Sequence, residues 1–409
     1  MAVNTAERAK TSKKKKRGQP VGRFAHRIRY YDYNLVAVVI LLTCFGLVML
    51  YSTSSYMAMR GEGGNDMAYF GKQAVISTLS LIGALVISRL DYHVLFFLSP
   101  YIYVASMFFM FLVRTPLGVN VNGATRWIQF GPDWLRFQPA EIAKIAVITF
   151  LPCLVLKIGR NIKNRKSVAL LISSGGILAL TAFLVTDNLS TGIIIGAITV
   201  LIVFISHPKT RPFMIAGICI GIVVTVAIIF LHLTLGNSVA DVDNFRLTRI
   251  LVWLRPERYS KEGGYQIMQA LYAIGSGGFF GKGLGNSVQK LGPVPEAQND
   301  MIFSIICEEL GVFGGMIILL LFAYLLYRLF FIAQNAPDLY GSLMVSGIFF
   351  HIALQVILNI CVVINLIPTT GITLPFVSYG GTSILFLMAE MGIALSVSKQ
   401  IRFEDEKRG

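Results

Sequence analysis

Asp300 closes the polar run GKGLGNSVQKLGPVPEAQND and stands at the threshold of an apolar stretch that starts with Met301. A carboxylate at the edge of a bilayer costs free energy unless it is paired, hydrated or used, so its position is itself a functional hypothesis. Within hydrogen-bond reach of a hydroxyl it could serve as a general base, and at the start of a helix it could equally serve as an N-cap. A second constellation, Glu141 and Lys144 in QPAEIAKIAV, lies i, i+3 on one face of a helix opened by Pro139. Two opposite charges in an apolar span are tolerable as a pair. Either an ion pair that locks helices or a cavity-facing lysine that meets phosphate accounts for them. Arg126, next to Trp127, offers a cation to an anionic headgroup, or is a structural arginine in an interfacial belt with Trp127 and Trp134.

The elements that hold these residues are membrane spans. Apolar residues make up 55% of the 409-residue chain, charged residues 14%, and mean hydropathy is +0.67, which describes a polytopic membrane protein. About ten stretches reach the roughly 20 residues that a crossing helix needs, near 34–52, 71–89, 94–113, 139–156, 168–185, 189–206, 213–233, 302–326, 342–365 and 376–398. The runs are too long and too unalternating for barrel strands, so an all-α integral membrane protein is expected. A basic tail over 1–33 precedes the ten-span region 34–398, a long loop at 234–300 separates spans seven and eight, and a short tail covers 399–409. The first apolar run is full length and is expected to remain as an anchor rather than be cleaved.

The net charge of +15 is not a nucleic-acid footprint. Lysines and arginines crowd the N-terminal tail and the connection between spans four and five, which with an even span count puts both termini in the cytoplasm and the 234–300 loop outside. That loop carries Arg246, Arg249, Lys282 and Lys290 among its cations. Its glycine-rich stretch from Gly275 to Gly285 does not make a P-loop, because Lys282 is followed by Gly283 rather than Ser or Thr. The five cysteines lie in apolar spans without C-x-x-C spacing, so neither disulfides nor a thiolate metal site is indicated. Asp187, Asn188, Ser190 and Thr191 read as a turn and helix cap. His351, Gln355 and Asn359 form a polar stripe, suited to interhelical hydrogen bonds or to a cavity wall. Pro368, Gly371 and Pro375 break the approach to Ser378, Tyr379, Gly380 and Gly381, and irregular backbone at membrane depth should face a cavity.

The segments NGATRWIQFGPDWLRFQPAEIAK, GYQIMQALYAIGSGGFFGKGLGNSVQK, PEAQNDMIFSIICEELG and LIPTTGITLPFVSYGGTS together resemble the SEDS family of cell-wall polymerases, the FtsW and RodA proteins. GLGNSVQK followed by PEA is more similar to the division-type FtsW branch. The resemblance covers essentially everything after the basic tail. It implies polymerisation of lipid II into glycan strands at the outer face of the plasma membrane, alongside a class B penicillin-binding protein that crosslinks them and other division or elongation proteins. It places the family's essential aspartate on Asp300 and its intramembrane acid and lysine on Glu141 and Lys144. Asn299 and Met301 flank Asp300 where the family usually has Thr and Phe, and Asp187-Asn188 stands where Pro-Asp is usual.

An inverting single displacement needs a base, here Asp300, and cations in advance for the diphosphate leaving group. Lys144, Arg126, Arg246, Arg249 and Lys290 are candidate substrate contacts, with Glu141 holding Lys144 and with Ser378 and Tyr379 on the irregular segment. A divalent cation, Mg or Mn, could assist. Glu308 and Glu309, about 12 Å beyond Asp300 at helical rise, are expected to brace the helix. Many spans with charge pairs and broken helices also suit a lipid carrier or flippase, and a non-enzymatic division scaffold is the third reading.

Overall fold

The computed structural model describes residues 28–60, 68–121, 124–129, 136–235, 245–259, 263–291 and 297–403. Long apolar helices follow one another as expected of segments that must satisfy their own backbone amides in lipid: α1 (Tyr33–Arg60), α2 (Ala68–Ile87), α3 (His93–Leu112), α4 (Pro139–Ile158), α5 (Arg165–Leu184), α6 (Leu189–Ser206) and α7 (Arg211–Leu235). Two shorter helices, α8 (Phe245–Leu254) and α9 (Tyr265–Ser276), precede α10 (Ile302–Asn335), α11 (Leu339–Val363) and α12 (Ser383–Ser398). Among the described residues, nine helices are long and apolar enough to cross a membrane, α1 to α7, α10 and α11. The tenth apolar helix, α12, starts at Ser383 and not at 376. Phe376 and Gly381 take positive φ, 62° and 50°, and residues before Ser383 stay outside the helix.

α4 runs through the middle, packed against α3, α5, α6, α11 and α12. Ala143, Ala146, Val147, Ile148 and Leu151 are wholly buried there, and the alanines let neighbouring backbones approach closely. Sequence-coded caps set two helix starts. Asn188 accepts from the Thr191 amide at 3.1 Å at the head of α6, and Asp338 accepts from Gly341 at 2.8 Å at the head of α11. α7 is the outlier, with none of its most apolar stretch buried.

One ion pair and one hydrogen bond pin α1 to α10. At the end where β1 (Ile28–Arg29) pairs antiparallel with β5 (Arg402–Phe403), Asp32 is fully buried and takes Arg328 at 2.7 Å. Toward the other end, Glu309 accepts from Ser52 of α1 at 2.7 Å and from Lys290 at 2.7 Å. A third buried pair, His351 with Glu390 at 2.8 Å, joins α11 to α12.

The all-α expectation needs one amendment. The connection between α3 and α4 contains a three-stranded antiparallel sheet of β2 (Gly118–Val121), β3 (Ala124–Gln129) and β4 (Arg136–Phe137). Val119 lies opposite Trp127 and Gln129 opposite Arg136, and Ile128 is buried beneath. Regular alternation would put Arg126 and Ile128 on one face, but the register shifts between Val119, paired with Trp127, and Asn120, paired with Thr125, so Arg126 falls at the bulge.

Candidate active site

The ends of α2, α4, α6 and α11 opposite the β1–β5 pair, the small sheet and the irregular segment before α12 enclose a cavity of about 560 Å³, within the range of small-molecule sites. Asp300 lines it, half-buried. The N-cap position of α10 falls on Met301, one residue beyond Asp300. Its backbone carbonyl accepts from Asn359 Nδ2 at 2.8 Å, and the same amide donates to Ile372 O at 2.8 Å. One α11 side chain therefore fixes both the lead-in to α10 and the irregular segment.

That segment is stitched down elsewhere. Gln355 Nε2 donates to Thr373 O at 3.1 Å, Ser190 Oγ to Thr370 O at 2.6 Å, and the Tyr379 amide to Gln298 O at 2.9 Å. Asn365, at φ 58°, receives the Trp253 indole N–H on its carbonyl at 3.1 Å. Non-helical backbone is thus satisfied by protein beside a cavity. Tyr379, Gly380 and Gly381 line the cavity. Ser378 does not, since its hydroxyl caps the turn by accepting from the Leu374 amide at 2.8 Å.

Five cations ring the same space: Lys72, Arg126, Arg136, Lys144 and Arg249. Lys144 pairs with Glu141 at 2.8 Å, their side chains 3% and 10% exposed, and both reach the cavity wall. Ion pairing and a cavity position thus coexist. Burial lowers the Arg126 guanidinium from its ordinary value, and Asp187 opposes the shift. Arg249 is lowered by burial and by Arg126, with Asp300 acting in the opposite direction. Arginine stays cationic through such shifts, and among the described lining residues the five cations face two carboxylates, Glu141 and Asp300. The Arg126 Nε–H is buried and finds no acceptor among the described residues. Arg249 donates to Thr369 O at 3.3 Å, and Arg136 to Gln129 Oε1 at 3.0 Å.

Lys72 and Arg136 were not among the residues singled out from sequence, although a lysine near the head of an apolar span was a usable signal. Lys290 is placed elsewhere: its buried ammonium reaches Ser52 at 2.8 Å and Glu309 at 2.7 Å, away from the cavity lining. A lysine in a polar loop reads as available cation, and only the fold brings its carboxylate alongside. Arg246 falls in the first turn of α8, and its side chain lies outside the described residues, as does Trp134. Asp187 pairs with Arg114 at 3.2 Å and Asn188 caps α6, while Asn188, Ser190 and Thr191 also line the cavity.

Among the described residues no three His, Cys, Asp or Glu side chains converge as metal ligands. Among the described residues the cavity's carboxylates are Glu141 and Asp300, and Glu141 is engaged by Lys144. This donor set does not fit a protein-built divalent site.

The profile of the FtsW/RodA/SpoVE cell cycle proteins matches residues 32–403. Stage V sporulation protein E of Bacillus subtilis is 37% identical over 377 residues, covering 91% of this chain and 98% of its own. A probable peptidoglycan glycosyltransferase FtsW of Trichlorobacter lovleyi is 35% identical over 385 residues, with 92% and 95% covered. Among solved structures, a chain from a peptidoglycan synthase complex that coordinates polymerization and crosslinking aligns with a TM-score of 0.72 at 27% identity, covering 90% of this chain and 97% of that one. The rod shape determining protein RodA of Thermus thermophilus aligns with a TM-score of 0.62 at 26% identity, with 91% and 97% covered.

Proposed function

The chain belongs to the FtsW/RodA/SpoVE family, and from that premise we propose that it is a peptidoglycan glycosyltransferase that polymerises lipid II at the outer face of the plasma membrane. The observation that carries the reading is the placement of Asp300 at the wall of a cavity ringed by five cations. A carboxylate there can take the proton of an acceptor sugar hydroxyl as the oxygen attacks the anomeric carbon. The bond from that carbon to the diphosphate oxygen breaks as the new C–O bond forms, with inversion, and the electron pair leaves on the diphosphate. Arg126, Arg249 and Lys144 face the space where that charge develops, and fixed cations in a partly dry site stabilise it without reorganisation. Arg136 and Lys72 extend the cationic wall.

A class B penicillin-binding protein is the proposed partner. One aligned chain comes from a complex that couples polymerization to crosslinking, and that supports the pairing.

The test is Asp300→Asn in the purified chain with its penicillin-binding partner, supplied with labelled lipid II. Loss of a general base lowers the rate about 10²- to 10⁴-fold, so glycan ladders should disappear while the protein stays folded. Ladders at the wild-type rate would refute the base assignment. Lipid movement across liposomes without ladders would favour a carrier.

A further inference from the structure

α10 is two helical segments joined at Gly311, where φ is 70° and ψ −169°. In an unbroken helix the amides of Val312 and Phe313 would donate to the carbonyls of Glu308 and Glu309. Instead they donate to Gly278 O at 3.0 Å and Phe279 O at 3.1 Å. The carbonyls they abandon accept from the Lys282 amide at 3.0 Å and the Gly283 amide at 2.9 Å. The turn after α9 is spliced into the helix's broken hydrogen-bond ladder, bond for bond. Glycine is required on both sides of the splice. A Cβ on Gly281 would meet Glu309 O at 2.2 Å, and one on Gly311 would meet Phe279 O at 2.3 Å, each at positive φ.

The segment above the break runs from Ile302 to Leu310 and starts two residues after Asp300. Ile302 through Glu309 are all buried. At its lower end Glu308 is wrapped by the spliced turn: it accepts from Lys282 Nζ at 2.7 Å, from the Val288 and Gln289 amides at 3.2 and 3.3 Å, and from the Ser287 hydroxyl. At its upper end Asn359 holds the Asp300 carbonyl. Asp300 is therefore carried on a short rigid rod, clamped at the far end by a turn that is not part of the helix.

We infer that the splice is a positioning device for the glycosyl transfer, with Glu308 and Lys282 as positioning residues that set where Asp300 stands relative to the cavity cations. Neither residue lines the cavity; they act through the rod. This rests on the polymerase reading for its activity arm alone, because the mechanical linkage is measurable without turnover.

The experiment uses the full chain with its penicillin-binding partner and compares Lys282→Met, Lys282→Arg and Gly311→Ala. Displacing a catalytic group by about 1 Å costs up to about 100-fold, so Lys282→Met should lower kcat about 10- to 100-fold while KM for lipid II stays within about twofold. Lys282→Arg should restore most of the rate. Hydrogen exchange in Lys282→Met should quicken over Ile302–Leu310 and not over Gly315–Asn335. Gly311→Ala should show the same pattern more strongly.

Wild-type kcat in Lys282→Met would overturn the inference, as would exchange that quickens evenly along all of α10, which is general loosening. Localised exchange changes in Lys282→Met together with a wild-type chain that forms no glycan ladders with its partner would sink the polymerase reading and leave the linkage standing.

Discussion

Breaking the Glu141–Lys144 pair separates two contributions that coincide at one place. The ammonium and carboxylate are 2.8 Å apart with side chains 3% and 10% exposed. Removing one partner of a buried pair costs about 3–5 kcal/mol, because the other charge is left uncompensated. Glu141 borders the cavity, where water recovers part of that loss, so Lys144→Met should destabilise by about 2–3 kcal/mol. Glu141→Gln should cost less, since an amide can still accept from the ammonium. The double variant should regain most of the stability, with a coupling free energy of about 2 kcal/mol in a double-mutant cycle.

Activity should not follow stability. Lys144→Met and the double variant should both polymerise lipid II poorly, because each lacks a cation for the leaving diphosphate, whereas Glu141→Gln retains one. Unfolding in mixed detergent micelles gives the first quantity and ladder formation with the penicillin-binding partner the second. A coupling below about 0.5 kcal/mol would mean that the two charges are solvated independently. Full activity in the stable double variant would mean that Lys144 serves packing alone.

Two further outcomes follow from single contacts. Asn359→Ala removes the bonds to Asp300 O and Ile372 O. It should cost about 1–3 kcal/mol for the carbonyls left unpaired and depress kcat more than KM, checked by steady-state polymerisation and thermal unfolding. Arg328→Met strips the fully buried Asp32 of its cation. It should destabilise by about 3–5 kcal/mol, with Asp32→Asn in the same chain recovering part, measured by detergent unfolding.

The spans were legible because an apolar run of crossing length has few alternatives. α6 spans 189–206 as expected, and α3 differs from its expected 94–113 by one residue at each end. Asp300, Glu141, Lys144 and Tyr379 could be named because charge or irregular backbone at membrane depth is costly unless it has a purpose, Arg126 and Arg249 because a diphosphate needs loop cations, and the cavity gathers them. The small sheet was missed even though Asn122-Gly123 between Val119, Val121 and Thr125, Trp127 is a strong hairpin signal; the tryptophans drew the reading toward an interfacial belt. Lys290 and Ser378 were misplaced because their partners are decided by contacts that no local pattern encodes. Lys290 meets Ser52 across 238 positions of chain.

The two clamps between α1 and α10 have a bearing on the membrane itself. From Asp32 to Ser52 the chain climbs about 30 Å at helical rise, which is the thickness of a bilayer's hydrocarbon layer. The two clamps therefore stand about one hydrocarbon thickness apart, and the protein carries a ruler for the lipid around it. Since the upper clamp includes Glu309, on the same rod as Asp300, the ruler's zero mark and the height of the reaction are set by the same piece of chain. A bilayer of the wrong thickness would have to deform around the protein before it could shift the level at which sugars are joined.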